Sequence, residues 1–194
     1  MWYKLLRKGV YFMIKLRQLK EKEWRQAMEL KITCWTEELA GKAQNDSVLS
    51  EQVDFWINWM YAATDNADIR VTLGAFEGDE LLGVVAGSIA EKSDIQEKGI
   101  ECNGLWVYPK YRNKGISLKL LLYLLSYFQN FNIEQIVIYN HRYAPSNNFY
   151  RKFGVKELRQ DYQISAGVSL LIDVFIIDIE QFKRELLETL TRYS

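Results

Sequence analysis

Apolar positions along this chain recur with two different periods, and the switches between them mark out its elements. Residues 14–17 (Ile-Lys-Leu-Arg) alternate as a half-buried strand does. Residues 20–39 instead set Trp24, Met28, Leu30, Ile32 and Trp35 among charges, the pattern of one long amphipathic helix or two short ones. After a polar loop at 41–47, residues 51–63 again read as helix and are crowded with large apolar side chains. Residues 69–76 and 81–89 are apolar runs on either side of Glu77-Gly78-Asp79-Glu80, which predicts a β-hairpin. Residues 100–108 predict a strand, 115–128 a helix and 133–139 a short buried strand. A helix with Ser146 as its N-cap is expected over 146–153. Two further runs, 155–164 and 168–177, flank Ser165-Ala166-Gly167 as a second hairpin, and an amphipathic helix is expected over 180–192. The order is β-α-α-β-β-β-α-β-α-β-β with a closing helix. It predicts an α/β fold, a mixed sheet with helices on both faces.

Composition narrows this to an ordinary globular chain. At 194 residues, 48% apolar and 26% charged, it is long enough for one domain with a substantial core. Lys plus Arg and Asp plus Glu both count 25, so no overall charge favours nucleic acid or an anionic membrane as partner. Two cysteines, Cys34 and Cys102, and a single histidine, His141, make neither a disulfide framework nor a metal site. A cytoplasmic setting without a bound metal is the expectation. Residues 1–12 carry Lys4, Arg7 and Lys8, which break any apolar run long enough to span a membrane. They are read as an N-terminal extension to a domain at 13–194, either an upstream-start segment or a short helix packed on a neighbour.

Against this neutral background, residues 107–118 stand out. Pro109 stops the apolar run, and Lys110, Arg112, Lys114 and Lys119 follow without an acid among them. A strand that runs through a small-residue turn into a helix gathers free backbone N–H groups and the positive end of the helix dipole in one place. That is an anion site, suited to phosphate or pyrophosphate.

The spacing Arg112-x-x-Gly115-x-Ser117 behind Val107-x-Pro109 resembles the acyl-CoA signature of the GCN5-related N-acetyltransferases, or GNAT superfamily. A second block, from Ala144 to Val155, resembles that family's late motif. There a short helix carries an aliphatic-Tyr pair, here Phe149-Tyr150, ahead of an ending that is here Phe153-Gly154-Val155. The element order matches along almost the whole chain. The resemblance implies one mostly antiparallel mixed sheet of about seven strands, splayed at its centre, of the GNAT-like acyl-CoA N-acyltransferase kind. It implies an acetyl-CoA-dependent N-acetyltransferase acting on a primary amine of a small molecule by direct attack in a ternary complex. Modification of a protein N-terminus or lysine, and a non-catalytic CoA-binding sensor, are the alternatives.

Residue roles follow from the same resemblance. The N–H groups of Arg112, Asn113, Lys114, Gly115, Ile116 and Ser117 would cradle the pyrophosphate. The backbone of Leu105, Trp106 and Val107 would pair with pantetheine, and a Val107 N–H or a close neighbour would polarise the acyl oxygen. Tyr150 would bind beside the sulfur and protonate the departing thiolate, general-acid help typically worth about 10²–10⁴-fold. Glu101 would take the proton from the amine, since an ammonium has no lone pair with which to attack. The family's usual asparagine seven residues before the tyrosine is replaced by Tyr143, and Asn147 or Asn148 is the candidate to compensate near the cofactor. Cys102 falls on the opposite sheet face from Glu101 if the strand is regular, and reads as core. The acceptor side is expected around residues 35–41, with Trp56 and Trp59 behind it. Glu37 and Glu38 there serve either an incoming cation or solvent. The oligomer expected is a monomer or homodimer.

Overall fold

A computed structural model of the chain describes residues 1–7, 10–62, 68–91, 95, 98–165 and 168–193. Its strands are β1 (Trp2–Arg7), β2 (Val10–Gln18), β3 (Arg70–Glu77), β4 (Glu80–Ile89), β5 (Gly99–Val107), β6 (Gln135–His141), β7 (Lys156–Ser165) and β8 (Val168–Asp178). They form one sheet in the order β1-β2-β3-β4-β5-β6-β8-β7. Every neighbouring pair is antiparallel except β5–β6. The helices are α1 (Trp24–Leu39), α2 (Leu49–Tyr61), α3 (Ile116–Tyr127), α4 (Ser146–Arg151) and α5 (Ile179–Leu190).

The sheet is buried on both faces because its central strands place apolar residues at successive positions. In β4, Leu82 and Val85 join a core with Leu120, Leu121 and Leu124 of α3 and Phe182 and Leu186 of α5. Leu81, Val84 and Ala86 face the other way, onto Trp24, Met28 and Cys34 of α1 and Trp56 of α2. The near-continuous apolar pattern of 81–89 thus reflects helices on both sides.

Two expectations change and one open alternative is decided. Residues 2–7 form neither a helix nor a separate tail. They pair antiparallel with β2, from Trp2↔Lys15 to Arg7↔Val10, and give the sheet its eighth strand. Ser146 is not the N-cap of α4, because Pro145 holds that position. Ser146 Oγ instead accepts from Asn140 Nδ2 at 2.8 Å. And α1 is one helix, led in by a single 3₁₀ turn at Glu21–Glu23 that Glu23 fastens to Arg17 at 2.7 Å.

Candidate functional site

β5 runs parallel with β6 only from Gly99↔Gln135 to Cys102↔Ile138, after which β5 continues to Val107 without that neighbour. The departure coincides with a bulge. On β4, Ala86 opposes Gly104 and Gly87 opposes Cys102, so Asn103 is the extra residue. A bulge bends its strand and raises the local twist, which opens the sheet here.

Register decides which backbone groups face the opening. Tyr108 N–H donates to Leu82 O at 3.1 Å, so Val107 and Gly83 are a non-bonded pair of the antiparallel ladder and Trp106 and Val84 a bonded one. The N–H and C=O of Leu105 and Val107 therefore point away from β4, toward the gap, and those of Trp106 are spent on β4. Trp106 loses the backbone role expected for it, and its ring is what reaches the site. The ring lies so close over the strand that a Cβ on Gly104 would stand 2.3 Å from it, so only glycine fits there.

The turn after β5 is made of backbone as well. Gly115 is the N-cap of α3 at φ 71°, Asn113 is also left-handed at φ 58°, and no side chain caps the helix. Lys119 N–H returns to Gly115 O at 3.1 Å, which leaves the N–H groups of Ile116, Ser117 and Leu118 as the free first turn. The turn opens on a cavity of about 580 Å³ whose other walls include Phe149 and Lys152 beside α4 and Thr189 and Tyr193 from the chain's end. The four cations of the turn do not converge on it. Lys110 pairs with Glu80 at 2.7 Å, and Lys114 donates to Lys110 O at 2.7 Å. Arg112 turns inward to Val107 O, Cys34 Sγ and Glu37. Lys119 is buried under the Tyr3 ring, and burial lowers its pKa. What the turn itself leaves for an anion is the array of N–H groups, while the cations Lys152 and Arg192 stand in the cavity's other walls.

Tyr150 stands where the sheet parts. It is buried against Phe149 and Phe175, and it lines a small cavity with Cys102, Gly104, Leu105 and Trp106. Burial first, then nearby Cys102 and Glu38, push its phenol well above the ordinary 10.0, so the hydroxyl keeps its proton. Cys102 is core, as expected, its thiol pushed up to about 12 by burial.

Asn147 is not where the sequence reading put it. It is buried, with Nδ2 donating to His141 O, Arg142 O and Asp173 Oδ2 and with Oδ1 accepting from Asn140. It braces the loop between β6 and α4 and touches neither cavity. Asn140, which the sequence reading passed over, faces the site instead, at the end of β6 in the small cavity's wall.

A second cavity, of about 260 Å³, adjoins the small one and shares Trp35, Asn103, Trp106, Tyr139 and Asn140 with it. Glu101 and Lys31 line it, with Trp56 and Trp59. Glu37, which stays exposed, pairs with Arg112 at 2.8 Å, and Glu38, in the small cavity's wall, pairs with His141 at 3.0 Å. Lys31 was missed, although the sequence carries its signal. It sits on the apolar stripe of α1, seven residues after Trp24 and four before Trp35.

An open parallel pair followed by an uncapped turn and a buried tyrosine defines an acyl-CoA type of fold, and comparison with known proteins agrees. The model of the acetyltransferase (GNAT) family matches residues 24–155, and the chain belongs to that family. Among solved structures it is similar to the PaiA N-acetyltransferase of Thermoplasma acidophilum, a complex with coenzyme A, at 23% identity and TM-score 0.56, covering 82% of this chain and 96% of that one. A probable acetyltransferase of Staphylococcus epidermidis is similar at 18% identity and TM-score 0.61, over 86% and 99% of the chains. So is YncA of Salmonella typhimurium, a putative acetyltransferase with acetyl-CoA, at 14% and 0.57, over 86% and 94%. No curated protein matches the sequence. No helix among the described residues is long and apolar enough to cross a membrane.

Proposed function

We propose that the chain transfers an acetyl group from acetyl-CoA to a primary amine of a small molecule, with both substrates bound together. The observation that carries this reading is the gap between β5 and β6, closed at one end by pairing up to Cys102 and bounded at the other by an uncapped helix start.

The residues present fit the cofactor. The N–H groups of Ile116, Ser117 and Leu118, with the turn Arg112–Gly115 before them, suit a pyrophosphate by hydrogen bonding and by the helix dipole. Gly115 matters twice, because its φ is left-handed and because a Cβ there would stand 3.2 Å from Leu190. The gap-facing backbone of Leu105 and Val107 suits the amides of the pantetheine arm, laid beside β5 as a substitute strand. Acetyl-CoA, when bound, supplies the acyl carbon activated as a thioester.

Each remaining task falls to a group of the chain. Leu105 N–H, directed into the gap and in the small cavity's wall with Tyr150, donates to the acyl oxygen and stabilises charge there, leaving Leu105 C=O and Val107 N–H to the pantetheine arm. Tyr150 Oη holds the proton that the departing sulfur needs, and its raised pKa keeps that proton available at neutral pH. Glu101, in the wall of the adjoining cavity, accepts the proton that the amine must shed before it can attack.

Thermal denaturation with acetyl-CoA, CoA and ADP, followed by thiol release with a panel of amines, tests this. Acetyl-CoA at a hundredfold excess over its dissociation constant is expected to stabilise the protein by about 2.7 kcal/mol. Thiol release should then depend on the amine. No shift with any of the three ligands would remove the cofactor and the activity together.

A further inference from the structure

The adjoining cavity has a chemical polarity that says what enters it. Among the described residues, four buried side-chain polar atoms lack a hydrogen-bond partner. Three of them, Trp56 Nε1, Asn103 Oδ1 and His141 Nδ1, belong to residues lining this one cavity. Buried polar groups are ordinarily satisfied, so such a concentration marks a place completed by something else. Lys31 adds to it. Its ammonium has three N–H donors but only Gln52 Oε1, at 2.5 Å, as a named partner. Its remaining surroundings are the ring faces of Trp35, Trp56 and Trp106, with centroids 4.8, 5.5 and 5.9 Å away. The ring faces attract the cation but accept none of its N–H groups as an oxygen would, and burial lowers the Lys31 pKa from 10.5 to about 8. A ring of tryptophans beside a cavity ordinarily suits a cationic ligand, but here the chain's own lysine already fills that position.

The donors and acceptors come from opposite sides. Lys31 Nζ and Trp56 Nε1–H are donors from α1 and α2, whereas the Glu101 carboxylate and Asn103 Oδ1 are acceptors from β5, the strand that carries the acyl site. Between them the lining is indole. We infer that the acceptor is a zwitterion, an α-amino acid with an apolar or aromatic side chain, its ammonium on Glu101 and Asn103 and its carboxylate on Lys31 and Trp56. The inference rests on the acetyltransfer reading for its orientation. In that pose the amine lies on β5, next to the gap, and the carboxylate lies away from it. The carboxylate gives Lys31 the counter-charge its burial lacks, and the side chain lies among the indoles.

The test compares amino acids with the same molecules lacking the carboxylate: L-phenylalanine with phenethylamine and L-leucine with 3-methylbutylamine. Binding is read from intrinsic tryptophan fluorescence with CoA present, and transfer from thiol release with acetyl-CoA. The amino acid of at least one pair should bind about ten- to a hundredfold more tightly than its amine, the range for a hydrogen bond to a charged group. Lys31→Met should bring that ratio to about one. Trp56→Phe, which keeps one aromatic ring but loses the Nε1–H together with part of the indole, should reduce it by a smaller factor. Equal or weaker binding of both amino acids, or a preference that survives Lys31→Met, would overturn the inference. Carboxylate-dependent quenching without thiol release from any amine would uphold the cavity assignment and defeat the acetyltransfer reading instead.

Discussion

In the proposed reaction the turn after β5 and the cavity beside that strand perform the two halves of one recognition task with different materials. At the turn, every cationic side chain is engaged elsewhere or buried, and the anion is left to backbone N–H groups that a left-handed glycine keeps clear. In the cavity the backbone contributes little. The recognition proposed there depends on side chains from α1, α2 and β5, among them Trp56 and Asn103, whose Nε1 and Oδ1 lack hydrogen-bond partners. A backbone site recognises what a whole family shares, because any sequence with the right turn can build it. A side-chain site is free to vary, and that is where one chain's choice of substrate is written.

The largest expected effect breaks the first half of this comparison. Gly115→Glu forces a side chain into a left-handed position, pushes it toward Leu190 and Tyr193, and places a carboxylate in the anion site. Stabilisation by acetyl-CoA in a thermal shift should disappear, with far-UV circular dichroism retained. Next, Tyr150→Phe keeps the ring packing against Phe149 and Phe175 and removes only the proton donor. It should lower kcat by about 10²–10⁴-fold while acetyl-CoA affinity stays near the original value. A fall of less than about threefold would take the tyrosine out of the chemistry.

Two smaller effects sharpen the contrast. Asn147→Ala removes a buried amide that donates to Asp173, His141 O and Arg142 O, so stability should fall by about 1–3 kcal/mol in urea denaturation. Acetyl-CoA affinity should change little if the residue is a brace, and a large loss would restore it to the cofactor site. Lys31→Met replaces an under-partnered buried ammonium with an apolar chain of similar length. It should stabilise the free protein by about 1–2 kcal/mol at neutral pH while costing recognition of the acceptor. The sign with pH follows from Lys31 being near 8 folded and 10.5 unfolded. Between those values the unfolded chain binds more protons, so the wild type gains stability as pH rises through that window. Below about 8 the penalty is fully present and constant. The gap in Tm between variant and wild type should therefore be widest below pH 8 and narrow toward pH 10.5.

How far the sequence could be read depended on whether a feature was local. The hairpin 69–89, the helix at 115–128 and the turn before it were legible because alternation, Gly78 and the Pro109-to-Gly115 spacing act over a few residues. The N-terminal strand was not. Nothing within residues 2–7 announces a strand until β2 is there to pair with. The expectation for Asn147 failed for a related reason. An asparagine in the first turn of a short helix reads as a ligand until Asp173, 26 residues on, is seen to bind it. Asn103-Gly104 inside an apolar strand did carry a bulge signal that could have been used.

By itself the sequence determined the order of elements from β2 onward, the turn after β5 and Tyr150 on its short helix, because backbone geometry and hydrophobic period are properties of neighbouring residues. Only the tertiary structure decided that Leu105 and Val107 face the gap while Trp106 does not, since that parity is set by pairing with β4. It also decided that Lys31, Trp56, Glu101 and Asn103 line one cavity. Those residues lie on three elements up to 72 positions apart, and no local pattern records which distant side chains will share a wall once two helices close over one face of a sheet.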